Sequence, residues 1–300
     1  MSKHQQITKR NNSGRGSRAI SIILLIVSVL LLAYPVIATL LTDYNNSETA
    51  RRYTEENVES VPQETMTQLM SNAEEYNAEL WASEHPVRRE DPENARYQGY
   101  KKQLLASEHS STMARIQIPD VGIDLPVYHG TSDDVLYRGA GHMYNSDLPI
   151  GGTSHTSVIT AHTGMVNASM FDNLSELKEG EAVYITVLGE TLRYRMTGSE
   201  VVEPTDYDAV TYEDGVDKLI LITCTPYGIN SDRLLVTAVR DELPIEEGEI
   251  PEGWKLQLSW WMKLALACIV LIIATSVASN IRWRKKLDNT SSQTAPNSDA

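Results

Sequence analysis

Residues 219–239 read LILITCTPYGINSDRLLVTAV. Two apolar runs rich in β-branched residues flank a Pro-Tyr-Gly turn, the pattern of a strand that reverses on itself. The first run ends at Cys224 and the second opens at Arg233, so adjacent antiparallel strands bring a thiol and a guanidinium close together. A cation beside a thiol favours the thiolate, its nucleophilic form, and the same guanidinium can stabilise an oxyanion on a bound carbonyl. Taken alone, Arg233 fits equally well as a surface cation at the start of a strand.

The same texture, short β-branched runs divided by Gly, Pro, Asp and Asn, begins after Ser110. Strands are expected at 114–118, 123–128, 157–161, 182–187, 191–197, 219–223 and 234–239, with Leu188-Gly189-Glu190 as a tight hairpin connection. Short helical pieces are expected at 132–137, capped by Ser132, and at 168–177, where Met170, Leu174 and Leu177 share a face. Strands at this spacing favour a mostly β domain, a closed barrel or sandwich, over a parallel α/β sheet.

A second chemical element is HTSVITAHTG at 155–164, which places His162 at a strand end before a Thr-Gly turn. An imidazole is the usual acid or base partner of a cysteine nucleophile and protonates the leaving amine when a peptide bond is cleaved. His142 in GAGHMY is the rival, and either histidine read alone is compatible with an ordinary structural role. His142, His155 and His162 match no standard zinc spacing, and Cys224 has no companion cysteine, so neither a metal nor another cofactor is expected. The other cysteine, Cys268, falls in an apolar run, which leaves the β domain with one thiol and no internal disulfide.

Both ends point to a membrane. Residues 20–41, ISIILLIVSVLLLAYPVIATLL, carry no charge and are long enough to span a hydrocarbon core. Lys3, Lys9, Arg10, Arg15 and Arg18 precede them, which places the N-terminus in the cytoplasm. The run is too long for a cleaved signal peptide, and an uncleaved anchor is expected. A second run at 264–278 is flanked by Trp260, Trp261 and Trp283 and followed by Arg282, Arg284, Lys285 and Lys286. The expected organisation is a cytoplasmic tail at 1–19, a span at 20–41, a juxtamembrane region at 42–109, a β domain at 110–243, an acidic turn-prone linker at 244–259, a span at 260–281 and a polar cytoplasmic tail at 282–300. Within 42–109 a helix is expected over 54–81, from the spacing of Val58, Met66, Leu69, Met70, Ala73, Tyr76 and Leu80; it gives way to a loop or lid at Asp91-Pro92. The formal charge of −14 arises mostly between the spans and argues against nucleic acid as a partner.

At the reactive residues the chain resembles the sortases, the cell-surface transpeptidases of Gram-positive bacteria, and in particular their pilus-assembling class C. Ile220-Leu221-Ile222-Thr223-Cys224 is similar to the family's Thr-Leu-x-Thr-Cys, with Ile in place of the first Thr. Thr225-Pro226-Tyr227-Gly228-Ile229-Asn230, Arg233-Leu234-Leu235-Val236, Leu125-Pro126-Val127-Tyr128-His129-Gly130, Gly139-Ala140-Gly141-His142 and Val158-Ile159-Thr160-Ala161-His162 extend the likeness over 114–240. The resemblance implies a sortase-type eight-stranded β-barrel with short helices, an N-terminal helix before it and a transmembrane helix on either side. It further implies a nucleophilic Cys224, an acid/base His162, and Arg233 holding the substrate or oxyanion. The reaction implied is cleavage of a Leu-Pro-x-Thr-Gly-like signal between Thr and Gly through a thioester, then transfer to a pilin lysine. The expected partners are pilin or surface proteins bearing that signal, and the membrane, with the catalytic domain outside. Anchoring of surface proteins to cell-wall peptide is the alternative within the family, and a non-catalytic membrane-tethered β domain the alternative outside it. Class C lids carry Asp-Pro-aromatic, whereas here Asp91-Pro92 is followed by Glu93. By this likeness Asp91 takes the lid position and Tyr97 is the nearest aromatic substitute; His142 joins them as a residue for lid or substrate contact.

Overall fold

A computed structural model describes residues 3–57, 61–85, 90–106, 110–246, 248–250 and 255–293. Val58 of the expected juxtamembrane helix, parts of the 244–259 linker and the last seven residues of the polar tail lie outside the described residues. The chain divides into two compact units, Thr39–Gln257 and the combination of Met1–Ala38 with Leu258–Ala300.

The second of these holds the two longest uninterrupted apolar runs. Helix α1 runs from Lys3 to Arg52, and a C-terminal helix from Trp260 to Gln293. Both contain stretches long and apolar enough to cross a membrane, within Ile20–Glu55 and Trp260–Lys285.

In Thr39–Gln257, α2 (Gln63–Ala82) and α3 (Ala95–Tyr100) precede eight strands. The strands are β1 (Thr112–Ile118), β2 (Ile123–His129), β3 (Ala140–His142), β4 (Thr156–Thr160), β5 (Ala182–Val187), β6 (Glu190–Val202), β7 (Lys218–Thr225) and β8 (Asp232–Asp241). They close into a barrel in the order β1-β2-β3-β4-β7-β8-β6-β5. Pairings β2–β3 and β4–β7 are parallel and the others antiparallel. Ile116, Ile118, Ile159, Val183, Ile185, Leu219, Leu221, Val236 and Ala238 belong to one core cluster and are at most 1% exposed. Full burial of each large aliphatic residue contributes roughly 1.5–3 kcal/mol.

Four details depart from the sequence reading. β3 is not among the expected strands; it is three residues long, and Gly141 is required because a Cβ there would overlap the Gly130 carbonyl oxygen. The helix expected at 168–177 is irregular chain with a single 3-10 turn at Leu174–Glu176, since Met170 turns into the left-handed region at φ 44. Met170, Leu174 and Leu177 are nevertheless all buried, so the apolar spacing marks burial and not helix. Ser132 sits at the cap position of the short helix Asp133–Leu136 but makes no side-chain cap bond. The helix expected over 54–81 is confined to α2, with a π-helical turn at Tyr53–Asn57 closing α1 and Pro62 at the α2 N-cap.

The end of α1 is fastened to the barrel. Arg115 of β1 forks onto Asp124 of β2 at 2.8 Å through both Nε and Nη2, and the Ser47 hydroxyl donates to the same carboxylate. The buried Tyr53 hydroxyl donates to the Met113 carbonyl at 2.7 Å and accepts from the Leu188 N–H at 3.1 Å. A carboxylate this far withdrawn from water is stabilised by donors of this kind around it.

Candidate active site

Alternation along three neighbouring strands sorts their side chains. Leu219 and Leu221 of β7, Leu234, Val236 and Ala238 of β8, and Ile159 and Ala161 at the end of β4 belong to the interior cluster. Val158, Ile220, Ile222 and Leu235, one position out of phase, form a separate cluster, with Met143, Val202, Ala209 and Val210 packed against it. Side chains in a strand change face at every residue, so Cys224, Arg233 and His162 fall with this outer set.

Register then brings the three to one height. Cys224 pairs directly with Arg233 across β7 and β8. Opposed residues of an antiparallel pair hold their Cβ atoms about 4.5–5.5 Å apart. The parallel β4–β7 register ends at Thr160 opposite Ile222. It is carried onward by the Ala161 N–H donating to the Ile222 carbonyl at 3.2 Å and by the Thr223 hydroxyl donating to the Ala161 carbonyl at 2.8 Å. One more step along each strand sets His162 level with Cys224. A thiol thus lies between an imidazole on one neighbouring strand and a guanidinium on the other.

Cys224 is a free, half-buried thiol, and His162 is half-buried too. Arg233 donates through Nη1 to the carbonyls of Asp232 at 3.0 Å and Asn230 at 3.4 Å. Among the described residues its Nε and Nη2 have no hydrogen-bond partner, so they are available to an incoming acceptor. The loop after His162 rests on α1: the Ser169 N–H donates to Asp43 at 2.9 Å, and the Asn46 amide reaches the Met170 sulfur at 3.7 Å.

The other three residues singled out from the sequence lie in different surroundings. His142 is wholly buried on β3. Its Nε2 is 2.8 Å from the Asp147 carbonyl, which can only accept, so the ring proton sits on Nε2, and Nδ1 at 2.9 Å shares the single proton of the Tyr100 hydroxyl with the His142 carbonyl at 2.8 Å. Burial pushes its pKa down to about 4, against a smaller opposing effect of the Asp147 carbonyl. The ring is therefore neutral and bonded at both nitrogens. Tyr97 is buried in the core beside it, edge-on to Tyr144 at 5.0 Å, with its hydroxyl donating to Glu90 at 3.1 Å. Glu90 also accepts from the Thr131 hydroxyl at 2.9 Å, which ties the chain before α3 to the end of β2. Asp91 is exposed; it accepts from the Glu93 N–H at 3.0 Å in a local turn, and no bond joins it to Arg233. Sequence reasoning misses Asp172, the acidic residue of the irregular loop after His162. Its signal is an Asp-Asn pair set between Phe171 and Leu174, where apolar neighbours draw the chain inward and a polar side chain needs a partner.

Comparison with known proteins points the same way. The family model described as a sortase domain matches residues 116–241. Sortase A from Staphylococcus aureus (strain NCTC 8325 / PS 47) is 35% identical over 130 residues, covering 42% of this chain and 61% of that protein. The chain spans between about half and 61% of the length of the first curated relatives it matches. Among solved structures, sortase C-1 from Actinomyces oris is 40% identical with a TM-score of 0.55, covering 60% of this chain and 99% of that one. Sortase C from Clostridium perfringens, solved with the C-terminal cell wall sorting motif, is 34% identical with a TM-score of 0.55, covering 65% and 99%. The barrel, its register and these likenesses together establish that the chain belongs to the sortase family.

Proposed function

We propose that the chain is a cysteine transpeptidase that cleaves a Leu-Pro-x-Thr-Gly-like signal between Thr and Gly and transfers the acyl group to a lysine amine of a pilin. The observation that carries the reading is the direct pairing of Cys224 with Arg233, with His162 level on the other side. The Cys224 thiolate, its proton taken up by His162, attacks the Thr carbonyl carbon, and charge moves onto the carbonyl oxygen, where the free guanidinium nitrogens of Arg233 act as donors. The tetrahedral species collapses as the Thr–Gly bond breaks, and His162 gives a proton to the departing Gly amine. A thioester remains on Cys224. A lysine amine then attacks that carbonyl and yields a proton to His162, and the thiolate leaves as the amide forms.

The pilin acceptor is inferred from the Thr225-Pro226-Tyr227-Gly228 extension and the second apolar helix, both read as class C features. We likewise infer a catalytic domain outside the cell with both tails in the cytoplasm, from the basic residues beside each span. The chain in detergent, mixed with a Leu-Pro-x-Thr-Gly peptide, should gain the mass of the acyl fragment on Cys224, and Cys224→Ala should gain nothing. Addition of a pilin-derived lysine peptide should then release the adduct as an amide. An adduct that only oligoglycine or another cell-wall amine resolves overturns the pilin acceptor, and no adduct at all overturns the transpeptidase reading.

A further inference from the structure

We propose that Asp172 clamps the loop after His162 to the turn after Cys224, and so sets the imidazole against the thiol. Its role is a positioning one, and it rests on the transpeptidase reading above. Asp172 is only 9% exposed. One carboxylate oxygen accepts twice from the turn that follows His162, from the Thr163 hydroxyl at 3.0 Å and the Gly164 N–H at 2.8 Å. The other accepts from the Tyr227 hydroxyl at 3.4 Å, and Tyr227 lies in the Pro-Tyr-Gly turn between Cys224 and Arg233. One buried side chain therefore answers to both loops.

The backbones of the same two loops also run near one another. A Cβ built on Gly164 would stand 3.4 Å from the Gly228 nitrogen and 3.7 Å from its Cα, and Gly164 itself has φ +76. The left-handed conformation favours glycine there, while a Cβ would meet Gly228 only at an ordinary contact distance. On the near side, the Phe171 N–H donates to the His162 carbonyl at 3.0 Å, so the residue before Asp172 holds the histidine's own backbone. Hydrogen bonds to a carboxylate are roughly twice as strong as neutral ones, and a low-dielectric setting sharpens them further. The β4–β7 pairing fixes the height of His162, but it ends before the histidine; beyond it, this clamp is what sets the loop's distance from the cysteine turn. A displacement of about 1 Å between reacting groups costs on the order of 10²-fold in rate.

The test uses the full chain in nanodiscs and compares Asp172→Ala with Asp172→Asn. An asparagine oxygen still accepts from Gly164 and Thr163, and its amide can donate to the Tyr227 oxygen. Asp172→Ala should lower kcat by roughly 10- to 100-fold with KM within about twofold, and Asp172→Asn should stay within about threefold of wild type. Hydrogen exchange gives a readout independent of activity: Asp172→Ala should speed exchange in both 163–171 and 226–231 while the barrel strands stay protected. Faster exchange in 163–171 alone, or a change confined to KM, overturns the clamp. Should Asp172→Ala fail to fold, Tyr227→Phe removes the hydroxyl alone; it should speed exchange at 163–164 across the gap and lower kcat, and an unchanged variant overturns the proposal. If exchange behaves as expected while wild type shows no acyl transfer, the clamp stands and the transpeptidase reading is what falls.

Discussion

Two histidines, His142 and His162, stand at strand ends of one barrel, and their surroundings differ in every respect that matters for chemistry. His142 is sealed among Tyr100, Tyr144, Ser146 and Asp147, with both ring nitrogens bonded. His162 is half-buried at the open end of β4, its carbonyl held by Phe171 while its ring makes no hydrogen bond among the described residues. An imidazole can move protons only if it can change its charge and reach a reactant. The first histidine satisfies neither condition, and the second has the exposure that both require.

The contrast breaks if the wrong histidine proves essential. His162→Asn is expected to lower turnover by roughly 10²- to 10⁴-fold, the usual contribution of a general acid or base, with little change in melting temperature. His142→Asn should do the opposite: turnover per folded molecule within about threefold of wild type, and a lowered melting temperature. Peptide turnover and thermal melts on the same two preparations decide it.

Acid sharpens the contrast. Burial, then the nearness of His142, pushes His129 down to about 3, and burial holds His142 at about 4. An unfolded histidine titrates near 6.5. As the pH falls from about 6.5 toward 4, the unfolded chain therefore binds protons that the folded domain excludes, and stability drops, by up to on the order of 3 kcal/mol for each histidine. Melts between pH 7.5 and 4.5 should show this fall, and His142→Asn should flatten it; an unchanged slope in the variant means that His142 is not the group responsible.

A smaller effect is expected from Tyr100→Phe. The hydroxyl serves the His142 ring and carbonyl and accepts from the Gly130 N–H at 3.0 Å, so its loss strands buried polar groups at about 1–3 kcal/mol. Denaturant unfolding measures that cost, and peptide turnover should not move; a fall in turnover would mean that the two regions are coupled.

Much of the barrel and of its reactive face is legible in the amino-acid sequence alone. The alternation of residues 219–239 gives both strands of the site and, through their phase, the shared face of Cys224 and Arg233. β3 escapes because a segment of three residues with one glycine is too short to alternate, and its pairing depends on a backbone contact with Gly130 that sequence does not display. The region 168–177 misleads for a related reason: its apolar positions are buried, but the clustering of Asp172 donors and the left-handed Met170 replace helical bonds with loop bonds. The surroundings of Tyr97 are illegible too. Its ring is drawn into an aromatic cluster built from α3 and the chain after β3, a matter of tertiary packing and not of local pattern.

The parallel pairing of β4 with β7 has a consequence for how the domain is made. It joins positions 62 residues apart, and Arg233 arrives only with the strand after that. Long-range pairings of this kind form late, because the intervening chain must first be ordered. A growing polypeptide that has delivered its histidine but not β7 and β8 has no site at all. The thiol of Cys224 emerges before the Arg233 that pairs with it, so its surroundings are complete only once β8 has followed.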